Sequence, residues 1–197
     1  MADQLAVMGL DTSPSSTGWG LAWGQLLAAQ PEFGTVKPRI VVPKAGNLDL
    51  SAARIRKVIG MLGSLVADAD PDLIVMEGPS YHSTGAYWHE NAGLWWAVVT
   101  RLKQSGRPLA VITPTTLKKF ATGSGSAKKS AMVGAAVRRF GLDEIGEDEA
   151  DALWLAAAGC QRYGWPLVKL PAVQVEALDV VRWPALQTPG PEPVPVT

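Results

Sequence analysis

Apolar and polar positions along this chain follow two different periods. Leu5 to Asp11, LAVMGLD, is a short apolar run that ends in an acid. The turn-rich TSPSST follows, and then GWGLAWG, whose alternation predicts a second strand folded back on the first as a hairpin. RIVVP, Arg39 to Pro43, supplies the expected third strand. From Leu50 the period becomes helical: Ile55, Ile59, Leu62 and Val66 share a face, and Ser51 is the expected N-cap. DLIVMEG reads as a buried strand with Glu77 at its C-terminal end. PSYHSTGAYWHE is a polar, aromatic loop leading into the helix NAGLWWAVVTRLKQSG, and PLAVITP is a further strand stopped by Pro114. Helices in TTLKKFAT, AKKSAMVGAAVRRFG and GEDEADALWLAAAG complete the pattern. Three strands, helix, strand, helix, strand, helices is an α/β order with an initial antiparallel meander and later crossover strands.

Length changes this picture little, because 197 residues suit one domain with an appendage. The appendage is visible in the composition. Seven prolines fall between Pro166 and Pro195, so residues 1–164 are expected to form the domain and 165–197 a Pro-rich extension. Its last ten residues, too poor in apolar surface to fold alone, are expected to be disordered. No apolar run reaches the roughly 18 residues of a membrane span, and the N-terminus lacks the basic segment of a signal peptide. The expectation is a cytoplasmic protein with no membrane partner. The only cysteine, Cys160, lies in the last apolar helix and reads as a small core residue.

Charge matters through its distribution. The net charge is zero, yet no acid occurs between Asn91 and Leu142, a window that holds nine of the 18 basic residues. Arg101, Lys103, Arg107, Lys118, Lys119, Lys128, Lys129, Arg138 and Arg139 lie there, while acids gather from Asp143 to Asp151. A basic surface beside an acidic cluster suits a protein that holds a polyanion near bound metal. For any one lysine pair, a solvated helix face is an equally good account.

The acids sharpen that reading. Asp11 and Glu77 each end a buried strand, and in α/β sheets ligands collect at the carboxyl ends of strands. If the two strands are parallel neighbours, both carboxylates point into one cleft. Asp148 and Asp151, three residues apart, share a face of the last helix. A plainer account makes Asp148 an N-cap and Asp151 its capping-box partner, and Asp11 an Asx-type turn residue. Glu77, ending a buried strand before Gly-Pro, has no such account. Glu147 is a spare ligand or capping neighbour, and Glu149 is expected in solvent. Four carboxylates cannot share a site without neutralisation. Mg²⁺ takes oxygen ligands and keeps waters, leaving room for phosphate, and a pair of such ions suits phosphodiester hydrolysis.

With these residues in hand, Leu5 to Gly159 resembles the RuvC-type Holliday junction resolvases of the ribonuclease H-like superfamily. GLDTSPSSTGWG resembles the family's first motif, and IVMEGP the strand carrying its catalytic glutamate. TPTTLKKFATGSGSAKKSAMV resembles the stretch with Pro, a lysine, Gly-x-Gly and Ala-x-Lys, and DEADALWLA the closing Asp-x-x-Asp-Ala-Leu. The resemblance implies a ribonuclease H-like fold, a mixed five-stranded sheet flanked by helices. It makes Asp11, Glu77, Asp148 and Asp151 the catalytic metal set, with Mg²⁺ or Mn²⁺, two ions per site. Lys129 becomes the lysine at the scissile phosphate, and Lys118, Lys119 and Lys128 join it along the DNA backbone. A homodimer on a four-way DNA junction is implied, with an aromatic wedge in the loop after Glu77. Tyr81 is the first candidate for that wedge, with His82, Tyr87 and Trp88 as rivals. The chain departs from the pattern in reading Asp11-Thr12-Ser13 in the first motif, in a longer loop before Asn91, and in LWWAVVTR on the helix that serves the family's dimer. Other readings are a related nuclease acting on flaps, branches or RNA–DNA hybrids, a junction-binding protein without catalysis, and an actin-like ATPase. The last lacks its glycine-rich phosphate loops.

Overall fold

The computed structural model describes residues 5–24, 30–40, 47–79 and 88–186. Five strands form one sheet: β1 (Leu5–Asp11), β2 (Thr17–Gly24), β3 (Glu32–Val36), β4 (Leu73–Glu77) and β5 (Leu109–Ile112). Their spatial order is β3-β2-β1-β4-β5. The first three pair antiparallel, while β4 runs parallel to both β1 and β5. This is the mixed five-stranded sheet expected from the sequence.

One expected strand is corrected. The third strand is EFGTV, not the stretch beginning at Arg39: Arg39 has a left-handed backbone, φ 52°, and residues 41–43 lie outside the described residues. β3 is an edge strand, buried only at Val36. A strand with one covered face needs no continuous apolar run, which is why RIVVP looked the better candidate.

Helices cover both faces. α1 (Leu48–Ala69) and α2 (Trp88–Gln104) pack on one face, against Met8, Leu10, Ile74 and Met76. α3 (Pro114–Thr122), α4 (Lys129–Phe140) and α5 (Glu147–Arg162) pack on the other, against Val7, Leu73 and Val75. Neighbouring residues of β1 and β4 thus feed opposite cores, and strands covered on both faces read as unbroken apolar runs. α1 starts earlier than Ser51: Asn47 is its N-cap, its side chain accepting from Leu50 N at 3.1 Å. The face α1 buries is Arg54, Val58, Leu62 and Val66, with Ile55 and Ile59 at its margin. In the second core Trp154 is fully buried between the rings of Phe120 and Phe140, and its indole N–H donates to Met132 O at 3.3 Å. Cys160 is buried there too, and burial pushes its thiol up to about 12, so it is an inert core residue.

The segment after α5 folds back on the second core. A short helix, α6 (Ala172–Val175), and a 3-10 turn (Glu176–Val180) follow it. Trp165, Leu167, Val181 and Trp183 pack on the core, and Gln174 Nε2 donates to Phe120 O at 2.7 Å in a buried contact. Residues 187–197, including the ten expected to be disordered, lie outside the described residues. Among the described residues no helix is long and apolar enough to cross a membrane.

Candidate active site

Asp11 and Glu77 end adjacent parallel strands at the same level. The β1–β4 register runs to Leu10 opposite Met76, one residue short of both acids. Their side chains therefore emerge side by side at the carboxyl edge of the sheet. The turn beyond Asp11 is closed by buried Thr17, whose hydroxyl donates to Ser13 O at 2.8 Å and accepts from Ser13 N at 3.2 Å. Beyond Glu77, the indole N–H of Trp95 on α2 donates to Glu77 O at 2.8 Å.

What brings α5 to these acids is a ledge of glycine. Gly9 and Gly20 are cross-strand partners, and Gly18 lies opposite Asp11. A Cβ added to Gly9 would lie 1.9 Å from Ala152 O, one on Gly18 2.0 Å from Asp148 O, and one on Gly20 2.8 Å from Leu153 Cα. α5 thus rests backbone to backbone on β1 and β2 with no side-chain layer between. The alternation TGWGLAWG carries this: Gly18 and Gly20 face α5 and Gly24 faces Trp165 beyond it, while Trp19 and Trp23 pack with the other core.

The start of α5 differs from the capping box expected at Asp148 and Asp151. The N-cap is Gly146, so Asp148 is the second helical residue and Asp151 the fifth, too deep to cap. The reciprocal capping contact belongs to Glu149, whose Oε2 accepts from Gly146 N at 2.7 Å, so Glu149 is not a free solvent-facing acid. With capping assigned elsewhere, buried Asp151 has no role in closing the helix.

Electrostatics tie the four acids together. Burial, then the charges of Asp151 and Asp148, push Asp11 up to about 7. Burial, the charges of Asp11 and Asp151, and a hydrogen bond to Asp11 push Glu77 up to about 8. Asp151 is raised to about 6, chiefly by burial, with Lys129 and Lys118 opposing the rise. Lys129, at the first position of α4, lies 3.9 Å from Asp148 Oδ1 and 3.7 Å from Glu147 Oε2. Burial disfavours its charge, but Asp151, Asp11, Asp148 and Glu147 together hold its pKa above the ordinary value. Groups pushed this far by burial and like charge are what a cation site produces when only protein is present.

The sequence therefore named Asp11, Glu77, Asp148, Asp151 and Lys129 as one site, and the fold brings them together. Lys118, half-buried on α3, lies near enough to act on Asp151; Lys119 and Lys128 are exposed flanking residues. Tyr81, His82 and Tyr87 lie outside the described residues; Trp88 opens α2, about half exposed, with its ring stacked on His89. Two pairings were not read from the sequence. Glu147 pairs with Lys129, and buried Arg54 pairs with Glu90 at 3.0 Å. Partners 18 and 36 residues apart leave no periodic signal, although the acid-rich start of α5 pointed toward Glu147.

A divalent ion suits this donor set. All four acids offer oxygen, the ligand of hard cations, and the raised pKa values of Asp11, Glu77 and Asp151 express burial and repulsion that a cation would relieve. Among the described residues no three His, Cys, Asp or Glu side chains stand close enough together, as they are placed, to hold a metal ion.

No family model matches the chain. It is 28% identical over 160 residues to the crossover junction endodeoxyribonuclease RuvC of Corynebacterium efficiens, covering 80% of this chain and 70% of that protein. The structure of Thermus thermophilus RuvC superposes with a TM-score of 0.64 at 20% identity, over 82% of this chain and 98% of that one. The same Thermus protein in complex with Holliday junction substrate gives 0.60 at 18% identity, over 81% and 96%. Sequence likeness over most of its length and a shared fold make this chain similar to the RuvC crossover junction endodeoxyribonucleases.

Proposed function

We infer that this protein is a metal-dependent, structure-selective DNA endonuclease that resolves four-way junctions by paired phosphodiester hydrolysis. The observation that carries the reading is the convergence of Asp11 and Glu77, level on parallel strands, with Asp148 and Asp151 on the helix seated against them. Asp11, Glu77, Asp148 and Asp151 would hold Mg²⁺ or Mn²⁺, two ions per site. When bound, such ions stabilise the attacking and leaving oxygens of an in-line displacement.

The chain's own groups do the rest. Asp11, pushed up to about 7, and Glu77, pushed up to about 8, are each at least partly protonated near neutral pH in the metal-free site and would release those protons on binding cations. Lys129 keeps its proton throughout and, once Asp148 and Glu147 turn to other partners, offers a full charge to a non-bridging phosphate oxygen. Lys118, Lys119 and Lys128 flank it on α3 and just before α4, in position to follow the strand on either side of the scissile bond. Two symmetric cuts need two sites, which implies a homodimer. The exposed Trp88 and Trp96 of α2 are the apolar surface that such a contact would cover. Tyr81 is the proposed wedge between bases in the loop after Glu77.

The test is cleavage of synthetic mobile and fixed four-way junctions in Mg²⁺ or Mn²⁺, with both strands mapped and flap and RNA–DNA hybrid substrates beside them. Asp11→Asn and Glu77→Gln are expected to abolish cleavage and leave junction binding. Unchanged cleavage by either variant would refute the assignment of these acids, and preferential cutting of flaps or hybrids would refute the substrate.

A further inference from the structure

Arg54 is an expensive residue in its place. It lies on the inward face of α1, 3% exposed, in line with Val58, Leu62 and Val66. Burying a guanidinium is costly unless every donor is used, and its Nε has no hydrogen-bond partner among the described residues. A leucine or methionine would fill the same space without that cost. The packing of α1 therefore does not account for an arginine, and its contacts indicate what does.

Arg54 Nη1 donates to Glu90 Oε2 at 3.0 Å, and Nη2 donates to Ser15 Oγ at 2.8 Å. Ser51, one turn earlier on α1, donates its hydroxyl to the other Glu90 oxygen at 2.5 Å. Ser15 belongs to the turn that follows Asp11, the turn already closed by Thr17. Glu90 sits in the first turn of α2, five residues before Trp95, whose indole holds the carbonyl of Glu77. One side chain thus ties the segment leaving Asp11 to the helix that grips Glu77. Three elements meet at Arg54: α1, the turn that leaves Asp11, and α2, which holds the carbonyl of Glu77.

We propose that Arg54 is a positioning residue: through Ser15 and the Glu90-bearing helix it fixes the spacing of Asp11 and Glu77, and so sets the affinity of the site for divalent ions. The inference rests on the metal-dependent reading above. Its fork is what the task requires, because a planar group with several donors can hold two acceptors in fixed directions. A lysine can keep the pair with Glu90 but not the bridge.

The experiment measures Mn²⁺ binding by calorimetry on the full chain, Mn²⁺-dependent cleavage of a synthetic four-way junction, and junction binding in EDTA. Wild type is compared with Arg54→Met, Arg54→Lys, Ser15→Ala and Glu90→Gln. Arg54→Met is expected to weaken Mn²⁺ binding and raise the half-saturating Mn²⁺ for cleavage by about tenfold or more, as expected for the loss of charged hydrogen bonds. Ser15→Ala, which removes only the bridge, should shift both by about threefold. Arg54→Lys should lie between wild type and Arg54→Met, and metal-free junction binding should stay unchanged throughout. A folded Arg54→Met with a lower melting temperature and the wild-type Mn²⁺ titration overturns the proposal. If Arg54→Met does not fold, wild-type titrations from both Ser15→Ala and Glu90→Gln overturn it equally. A wild-type protein that neither binds Mn²⁺ nor cuts any junction overturns the reading of the site itself, and this proposal with it.

Discussion

Replacing Gly18 with alanine adds one methyl group where β2 meets the first turn of α5. The new Cβ would stand 2.0 Å from Asp148 O and 3.1 Å from Asp148 Cβ. Ordinary carbon contacts begin near 3.5 Å, so strand and helix must separate by about 1.5 Å. Neither side can yield by a rotamer change, because the clash is with backbone. Overpacking of this kind costs about 3 kcal/mol, which for a chain of this size lowers the melting temperature by about 6–12 °C. The displaced residue is Asp148 itself. A misplacement of about 1 Å at a reacting centre can cost about 10²-fold in rate. Gly18→Ala should therefore cut four-way junctions about a hundredfold more slowly while still folding at 20 °C. Gly60→Ala is the matched control: it lies in mid-α1 with nothing within 4 Å of a new Cβ. That change should raise stability by about 0.5–1 kcal/mol and leave cleavage alone. Thermal melts and single-turnover cleavage of the three proteins decide the matter. A Gly18→Ala protein that melts and cuts like wild type would refute the direct seating of α5 on β2.

Two further outcomes follow from the site's charges and caps. Asp11, Glu77 and Asp151 hold protons to about pH 7, 8 and 6, whereas the unfolded chain releases them near 4; between those limits the folded state binds more protons. Metal-free stability should then fall as pH rises from 5 to 8, with Mg²⁺ restoring it at pH 8 and Asp11→Asn flattening the slope. Urea melts in EDTA at both pH values test this, and greater stability at pH 8 would contradict it. Glu149→Ala removes the contact to Gly146 N and should cost about 1 kcal/mol with cleavage retained. Loss of cleavage at an unchanged melting temperature would move Glu149 into the site.

Much of the site was legible because its chemistry is written in positions with no structural excuse. Glu77 at the end of LIVME had no role as a core residue, and with Asp11 it pointed into one cleft provided the two strands were parallel neighbours, as the β1–β4 pairing has them. The helix-start acids were harder. Capping and metal binding favour the same residue types, and only the N-cap at Gly146 separates Glu149 from Asp148 and Asp151. β3 was misplaced because an edge strand needs little hydrophobicity. Arg54 stayed hidden because an arginine in an amphipathic helix is ordinarily a surface residue, and its partners come from distant parts of the chain. The Pro-rich stretch beyond Trp165 was recognisable by composition only as an extension, with its last ten residues expected to be disordered. Trp183 and its leucines nevertheless cover the second core, an effect of tertiary packing rather than of local preference.

The seating of α5 also has a consequence for how the protein is made. Asp11 leaves the ribosome well over a hundred residues before Asp148 and Asp151, which arrive on α5. Synthesis at roughly 5–20 residues per second separates the two halves of the site by many seconds. During that interval the strands can begin to pair, but the glycine ledge is bare and no cleft exists. Under the proposed function, an unfinished or C-terminally truncated chain has no means to cut DNA. On that reading, competence to cut is withheld until α5 is seated on the sheet.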